Sequence, residues 1–318
     1  MTTPRVALIG AGPMARAYGH ALVELGADVV VVGRGEASAR AFADDVGMDV
    51  LTGGLEANAE AVAACSHAII ATPVPVLSGQ AVRAVELGVG RVLVEKPAGL
   101  DHADVFALSA AAREAGAEVF VAYNRRFYAS VREAKRCIAA DGGATSFRFE
   151  ISEWASRVGD SPNTDEVKRA WFLANSTHVV DMAFFLGGHP KSIVGRTSGT
   201  VGWHSPSVFV GHGETQGGAL FSYHGDWGAA PRWMVEICTA GHTYMFNPLE
   251  GLKVRTGAGF AVEEVELGTD DDTRFKPGIL RQTESFLAGD REGGLLSIHD
   301  HERHVREIYL PMLGEAPA

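Results

Sequence analysis

The sequence predicts an α/β chain in two domains. The first is a doubly wound parallel sheet, and the second is an α+β domain with an open-faced, mainly antiparallel sheet. Three observations predict this. The run Val6-Ala7-Leu8-Ile9 ends in Gly10-Ala11-Gly12-Pro13-Met14-Ala15, which has the form G-x-G-x-x-A. Apolar strand-like runs then alternate with helix-like stretches to about residue 122, as a parallel sheet with crossover helices requires. After Pro190 the pattern becomes strand-like segments separated by Gly and Pro turns, the mark of antiparallel strands with one face in water. The expected boundaries are 1–122 and 123–318.

In the G-x-G-x-x-A turn, Gly10 permits a tight bend and Gly12 lets the backbone approach a pyrophosphate. Ala15 is small enough for the next helix to pack on the strand. Pro13 and Met14 open that helix, whose free N–H groups and dipole favour anions. Dinucleotide binding follows as an expectation. A helix over 15–25 stops at Gly26, and Asp28–Val32 is the second strand. The pattern continues with a helix over 37–46, a strand over 67–73, a helix over 77–87, a strand over 91–97, a helix over 101–115 and a strand over 118–122. Ligands of such sheets bind beyond the carboxyl ends of the strands. Gly10, Gly33, Thr72 with Pro73, Glu95 with Lys96, and Tyr123 fall there.

The tip of the second strand decides the cofactor. NAD sites usually place an acid about 20 residues beyond the Gly-rich turn. Here the sequence is Val32-Gly33-Arg34-Gly35, with no carboxylate. Arg34, helped by Ser38, supplies positive charge for a 2′-phosphate. NADP(H) is therefore the preferred cofactor, with NAD(H) also possible.

In the second half, 145–151 alternates as a half-buried strand and 154–165 reads as a loop. A helix opens near His178 with Ser176 or Thr177 as N-cap and stops at Gly187. Strands are expected over 193–201, 218–223, 233–239 and 242–246. Helices are expected over 277–287 and 301–309, the latter with Asp300 as cap. His299, His301 and His304 fit a solvated helix start, and no Cys stands near the other histidines, so no metal is expected.

The 318 residues, 46% hydrophobic and 21% charged, are those of an ordinary globular protein. The net charge of −11 argues against nucleic acid and against anionic membrane surfaces as partners. Cys65, Cys137 and Cys238 are widely spaced and form no disulfide framework, and the Met-Thr-Thr-Pro start has no signal-peptide pattern. A cytoplasmic protein is the expectation.

The pieces Gly10-Ala11-Gly12-Pro13-Met14-Ala15, Ala71-Thr72-Pro73, Glu95-Lys96-Pro97, Tyr123-Asn124-Arg125-Arg126-Phe127 and His178-Val179-Val180-Asp181 resemble, in order and spacing, the glucose–fructose oxidoreductase / inositol dehydrogenase / rhizopine-catabolism family (Gfo/Idh/MocA). The resemblance implies a Rossmann domain, an open-faced sheet domain, and NAD(P)-dependent oxidation or reduction of a sugar, nucleotide-sugar or cyclitol. It implies Lys96 and His178 as catalytic groups. It implies Gly10, Gly12, Pro13, Met14, Ala15, Gly33, Arg34, Ser38, Thr72, Pro73, Glu95 and Lys96 as cofactor contacts. The family often carries an Asp four residues before the His, but this chain has Ala174 there. Tyr123, Asn124, Arg125, Arg126, Trp171, Asn175 and Asp181 are the substrate-binding candidates, with Asp181 also able to hold the His178 ring or to cap its helix. A homo-oligomer formed through the C-terminal sheet is expected. Two alternatives remain at this point: a catalytically inactive NADP(H) sensor, and an imine or dihydrodiol reductase of the same family.

Overall fold

In the computed structural model, residues 4–290 and 293–315 are described. The Met1–Thr3 start, on which the absence of a leader pattern partly rested, lies outside them. The first strands and helices follow the predicted alternation: β1 (Arg5–Ile9), α1 (Pro13–Glu24), β2 (Asp28–Val32), α2 (Glu36–Val46), β3 (Val50–Leu51), α3 (Gly54–Ala57), α4 (Ala59–Ala63), β4 (His67–Ile70), α5 (Leu77–Glu86), β5 (Arg91–Glu95), α6 (His102–Ala115) and β6 (Glu118–Ala122). Strands β1 to β6 are all parallel, in the order β6-β5-β4-β1-β2-β3. Val6, Ala7, Leu8, Val92, Leu93 and Val94 are fully buried, as expected where helices cover both faces of a parallel sheet. The β3–α4 stretch lies outside the predicted elements; its strand is only two residues long and its helices are single turns.

The chain goes on through α7 (Ala129–Ala140), β7 (Ser146–Ser152), α8 (Ala155–Gly159), α9 (Asp165–Arg169), α10 (Thr177–Gly187), β8 (Pro190–Ser198), β9 (Val208–Thr215), β10 (Leu220–Asp226), β11 (Arg232–Cys238), β12 (His242–Phe246), β13 (Lys253–Thr256) and β14 (Glu263–Glu264). These strands form a second sheet ordered β14-β13-β12-β11-β7-β10-β9-β8. Only the β7–β10 pair is parallel; the others are antiparallel. On its inner face Phe147, Phe149, Phe221 and Tyr223 stack and meet Phe184 of α10. Its other face alternates polar groups with exposed Val194, Val210 and Leu220. The chain closes with α11 (Asp270–Arg274), α12 (Ile279–Ala288), β15 (Leu296–Ser297), α13 (Ile298–His304) and α14 (Leu310–Leu313).

Several expectations are corrected. The single boundary at 122/123 gives way to two compact units: Met1–Asn124 with Asp270–Glu302, and Arg125–Thr269 with Arg303–Ala318. The first unit takes back the later segment because β15 pairs antiparallel with β6 and α12 packs on α1. The expected loop over 154–165 contains α8 and the start of α9. Ser176 stands at the N-cap position of α10, as one of the two expected residues, but its side chain makes no capping bond. A π-turn over Phe172–Ser176 precedes it, and the two hydroxyls donate to Glu153 and to the Leu173 carbonyl. Asp300 lies inside α13; its N–H donates to the Ser297 hydroxyl, which donates back to the Asp300 carboxylate. The cap is therefore Ser297, whose hydroxyl accepts from the Asp300 N–H and is held in place by the Asp300 carboxylate. Among the other elements not predicted are α7, β9, β13, β14, α11 and β15. In β9, Gly211 and Gly213 dilute the strand signal, yet a Cβ on Gly211 would come within 2.4 Å of the Tyr223 ring.

Candidate functional site

In the first unit the β1–α1 turn is built to take an anion. Gly10 has φ +126°, and a Cβ there would lie 2.3 Å from the Ala71 carbonyl oxygen, so no other residue fits without movement. Gly12 is the extended N-cap of α1. No side chain caps the helix, and a Cβ on Gly12 would meet nothing within 4 Å. The first-turn N–H donors of α1 therefore face open space with the dipole behind them. Pro13 is exposed at the first helical position and Ala15 is fully buried. At the β4 tip, Thr72 Oγ1 is buried with no hydrogen-bond partner among the described residues. An orphaned hydroxyl and an uncapped helix start beside a glycine cradle fit a dinucleotide phosphate bridge.

At the tip of β2, Gly33 is closed in by Val50 and Ala11. Arg34 is exposed, and no carboxylate pairs with it among the described residues. Ser38 donates to the Gly35 carbonyl, so its hydroxyl braces this turn.

The β5 tip is the most heavily supported point of the unit. Glu95 is buried, and the fully buried Tyr18 of α1 donates to its Oε1 at 2.7 Å. Gln282 of α12 reaches the same Tyr18 hydroxyl at 3.1 Å. The hydroxyl has one proton, and the shorter bond to Glu95 takes it. Burial pushes the Glu95 carboxyl up, opposed by the Tyr18 bond and by the charges of Lys96 and Lys276. Burial, then the Glu95 charge, push the Tyr18 phenol well above its ordinary value. Glu95, expected among the cofactor contacts, is thus occupied within the unit's interior. Lys96 follows, half-buried, and its peptide bond to Pro97 is cis. The Pro97 carbonyl is 3.0 Å from His301 Nε2. Tyr123 is buried with its ring 5.6 Å from that of His301, and Asn124 donates to the Pro277 carbonyl.

In the second unit, Arg126 and Asp181, both expected at the substrate, bind each other. Arg126 Nε and Nη2 donate to the two carboxylate oxygens at 2.8 and 2.7 Å, and the guanidinium lies over Phe185. Burial raises the Asp181 carboxyl and the paired guanidinium pulls against it. Arg125 stacks 5.0 Å over Trp233 and lies 3.6 Å from Glu250. His178 is the second residue of α10 and is buried.

Beside the start of α10 lies a cavity of about 440 Å³ whose walls include Trp171, Asn175, Trp154, Arg157, Trp233 and Glu153. Two substrate-binding candidates, Trp171 and Asn175, thus come together. Glu153 was missed. It is buried at the end of β7, accepts from Asn175 Nδ2 at 3.2 Å on both oxygens and from Ser176 Oγ at 2.6 Å. It is the sole carboxylate among the cavity's lining residues, and it binds the π-turn whose position 174 is Ala. The sequence holds no sign of it, because a Glu just past a strand in a polar stretch reads as solvated. Among the described residues no group of His, Cys, Asp and Glu could hold a metal ion, and no helix is long and apolar enough to cross a membrane.

Residues 4–123 match the Gfo/Idh/MocA family model, described as an oxidoreductase family with an NAD-binding Rossmann fold. No curated protein matches. Among solved structures, levoglucosan dehydrogenase in complex with NADH is 20% identical, covering 98% of this chain and 96% of its own, with a TM-score of 0.79. The UDP-N-acetylglucosamine 3-dehydrogenase GnnA from Acidithiobacillus ferrooxidans is 16% identical, covers 99% and 98%, and scores 0.75. An oxidoreductase from Agrobacterium radiobacter, in complex with NAD+, L-tartaric acid and magnesium, is 18% identical, covers 99% and 95%, and scores 0.79. At these identities the likeness is one of fold, and it extends over both units.

Proposed function

Residues 4–123 belong to the Gfo/Idh/MocA oxidoreductase family as its NAD-binding Rossmann domain, and from that premise we propose an NAD(P)-dependent dehydrogenase that acts on a hydroxyl- or keto-bearing carbon of a sugar, nucleotide-linked sugar or cyclitol. The observation that carries this is the pairing of an uncapped Gly12–Pro13 helix start with Lys96 at the carboxyl edge of the same sheet. The neighbours of the same fold that act on levoglucosan and on UDP-N-acetylglucosamine support the substrate class. So does the cavity of aromatic, amide and carboxylate walls beside α10, which suits a polyhydroxylated ring. Arg34, with no acid at the β2 tip, favours NADP(H).

A bound nicotinamide dinucleotide supplies the hydride acceptor or donor. The chain must then move the proton of the reacting hydroxyl, which needs a group that titrates near neutrality. Lys96 and His178 take that role in this proposal. An ammonium loses proton affinity where it is desolvated, and His has the right intrinsic pKa. Asn175 and Glu153 orient hydroxyls, since a carboxylate accepts several hydrogen bonds at once.

The test follows formation of reduced nicotinamide from NAD+ or NADP+ with levoglucosan, UDP-N-acetylglucosamine, myo-inositol and simple aliphatic alcohols. Turnover of at least one polyol is expected. Lys96→Ala should lower kcat by about 10²–10⁴-fold and His178→Ala by a comparable or smaller factor. Turnover of aliphatic alcohols alone, or single variants as fast as the parent, would refute the proposal.

A further inference from the structure

The segment Asp270–Glu302 belongs to the same unit as the Gly-rich turn, although it begins nearly 150 residues beyond the end of the family match at residue 123. Its approach to α12 crosses the carboxyl edge of the parallel sheet. The Pro277 carbonyl accepts from Asn124, just beyond the β6 tip. The adjacent Lys276 lines a cavity of about 240 Å³ together with Pro13, Arg16, His20, Asp45 and Arg274, so it lies beside the first turn of α1. Its charge also acts on Glu95 at the β5 tip. Three placements, relative to β6, α1 and β5, thus set Lys276 on the edge where a dinucleotide lies.

The other charges of this cavity are already paired. Arg16 and His20 face Asp45 at 3.1 and 3.4 Å, and Arg274 faces Glu24 at 3.1 Å. Lys276 makes no ion pair within 4.0 Å among the described residues. It is exposed, so its ammonium can turn on a flexible stem.

We infer that Lys276 is a cofactor-binding residue whose ammonium serves the pyrophosphate of a dinucleotide held at the start of α1. The inference rests on the cofactor reading given above. It assigns to the returning segment a part of the cofactor site that the G-x-G-x-x-A turn does not contain. Helix-start N–H groups carry only partial charge, and a mobile ammonium adds a full one.

The experiment measures dissociation constants of NADH by fluorescence titration, and of ADP-ribose by competition, for the parent, Lys276→Gln and Lys276→Arg. ADP-ribose keeps the pyrophosphate and lacks the nicotinamide. Lys276→Gln should weaken both ligands by the same roughly threefold to tenfold, between the worth of an exposed ion pair and that of a charge-assisted hydrogen bond. Lys276→Arg should restore most of the loss, and added salt should narrow the difference between parent and Lys276→Gln. Thermal melting should be unchanged, since the side chain is exposed. Unchanged affinity in Lys276→Gln would overturn the inference. So would a loss confined to NADH, which would place the ammonium at the nicotinamide end. A parent protein that bound neither NADH nor NADPH would refute the cofactor reading itself, a separate result from either of these.

Discussion

Tyr18→Phe removes one oxygen and keeps the ring that packs α1 on the sheet. The parent hydroxyl is fully buried and donates at 2.7 Å to a carboxylate that is 8% exposed. A hydrogen bond to a charged group is worth about 1.5–3 kcal/mol, and an acceptor left buried without it bears the desolvation penalty. The variant should therefore lose about 2 kcal/mol of stability, measured by urea titration followed by circular dichroism. The sign with pH is a further check. Burial raises the Glu95 carboxyl above its ordinary value near 4.5. The unfolded chain thus gives up this proton first as pH rises, and stability falls through the window between the two values. Below that window Glu95 is protonated in both states, and the Tyr18→Phe loss should shrink toward that of a neutral hydrogen bond, about 1 kcal/mol. At the alkaline end, the Tyr18 phenol is raised above its ordinary 10.0. Stability of the parent should fall as pH rises past that value, and Tyr18→Phe should lack this component. A variant as stable as the parent at neutral pH, or a loss that grows as the solution is acidified, would refute the assignment of an ionised Glu95 held by Tyr18.

Arg34→Ala should erase most of an NADP(H) preference on the order of tenfold, a charge-assisted phosphate contact being worth at least that; equal dissociation constants for NADPH and NADH in the parent would refute the role of Arg34. Asp181→Asn should destabilise the second unit by about 3–5 kcal/mol, because it breaks a buried bidentate pair from one side. The double variant Arg126→Met, Asp181→Leu should recover most of that loss in thermal melts. If the double variant melts no higher than Asp181→Asn, the pair is not the source of the loss.

The sequence by itself determined the elements whose signal is local. Short apolar runs bounded by turn residues, such as Val6–Ile9 and Val92–Val94, read as central strands of a covered sheet, and the glycines between Ile9 and Pro13 favour the tight turn that follows the first of them. Lys96 was legible because it is one residue beyond such a strand. Helix α7 was also within reach, since Val131, Ala134 and Ile138 recur at helical spacing and are buried. Caps were less legible: Ser297 and Asp300 close α13 together, and either alone is an ordinary polar residue.

Only the tertiary structure decided which polar groups are neutralised and which remain for ligands. Arg126 and Asp181 are 55 residues apart, Glu153 and Asn175 are 22 apart, and Tyr18 and Gln282 are 264 apart. A charge in a sequence carries no record of its partner at such separations. Burial then fixes its role, because a desolvated carboxylate must find donors wherever the chain brings them. For the same reason no pattern in 270–302 announces that it returns to the first unit. That follows from β15 pairing with β6 and α12 covering α1, which bring Lys276 to the edge that the Gly-rich turn had already defined.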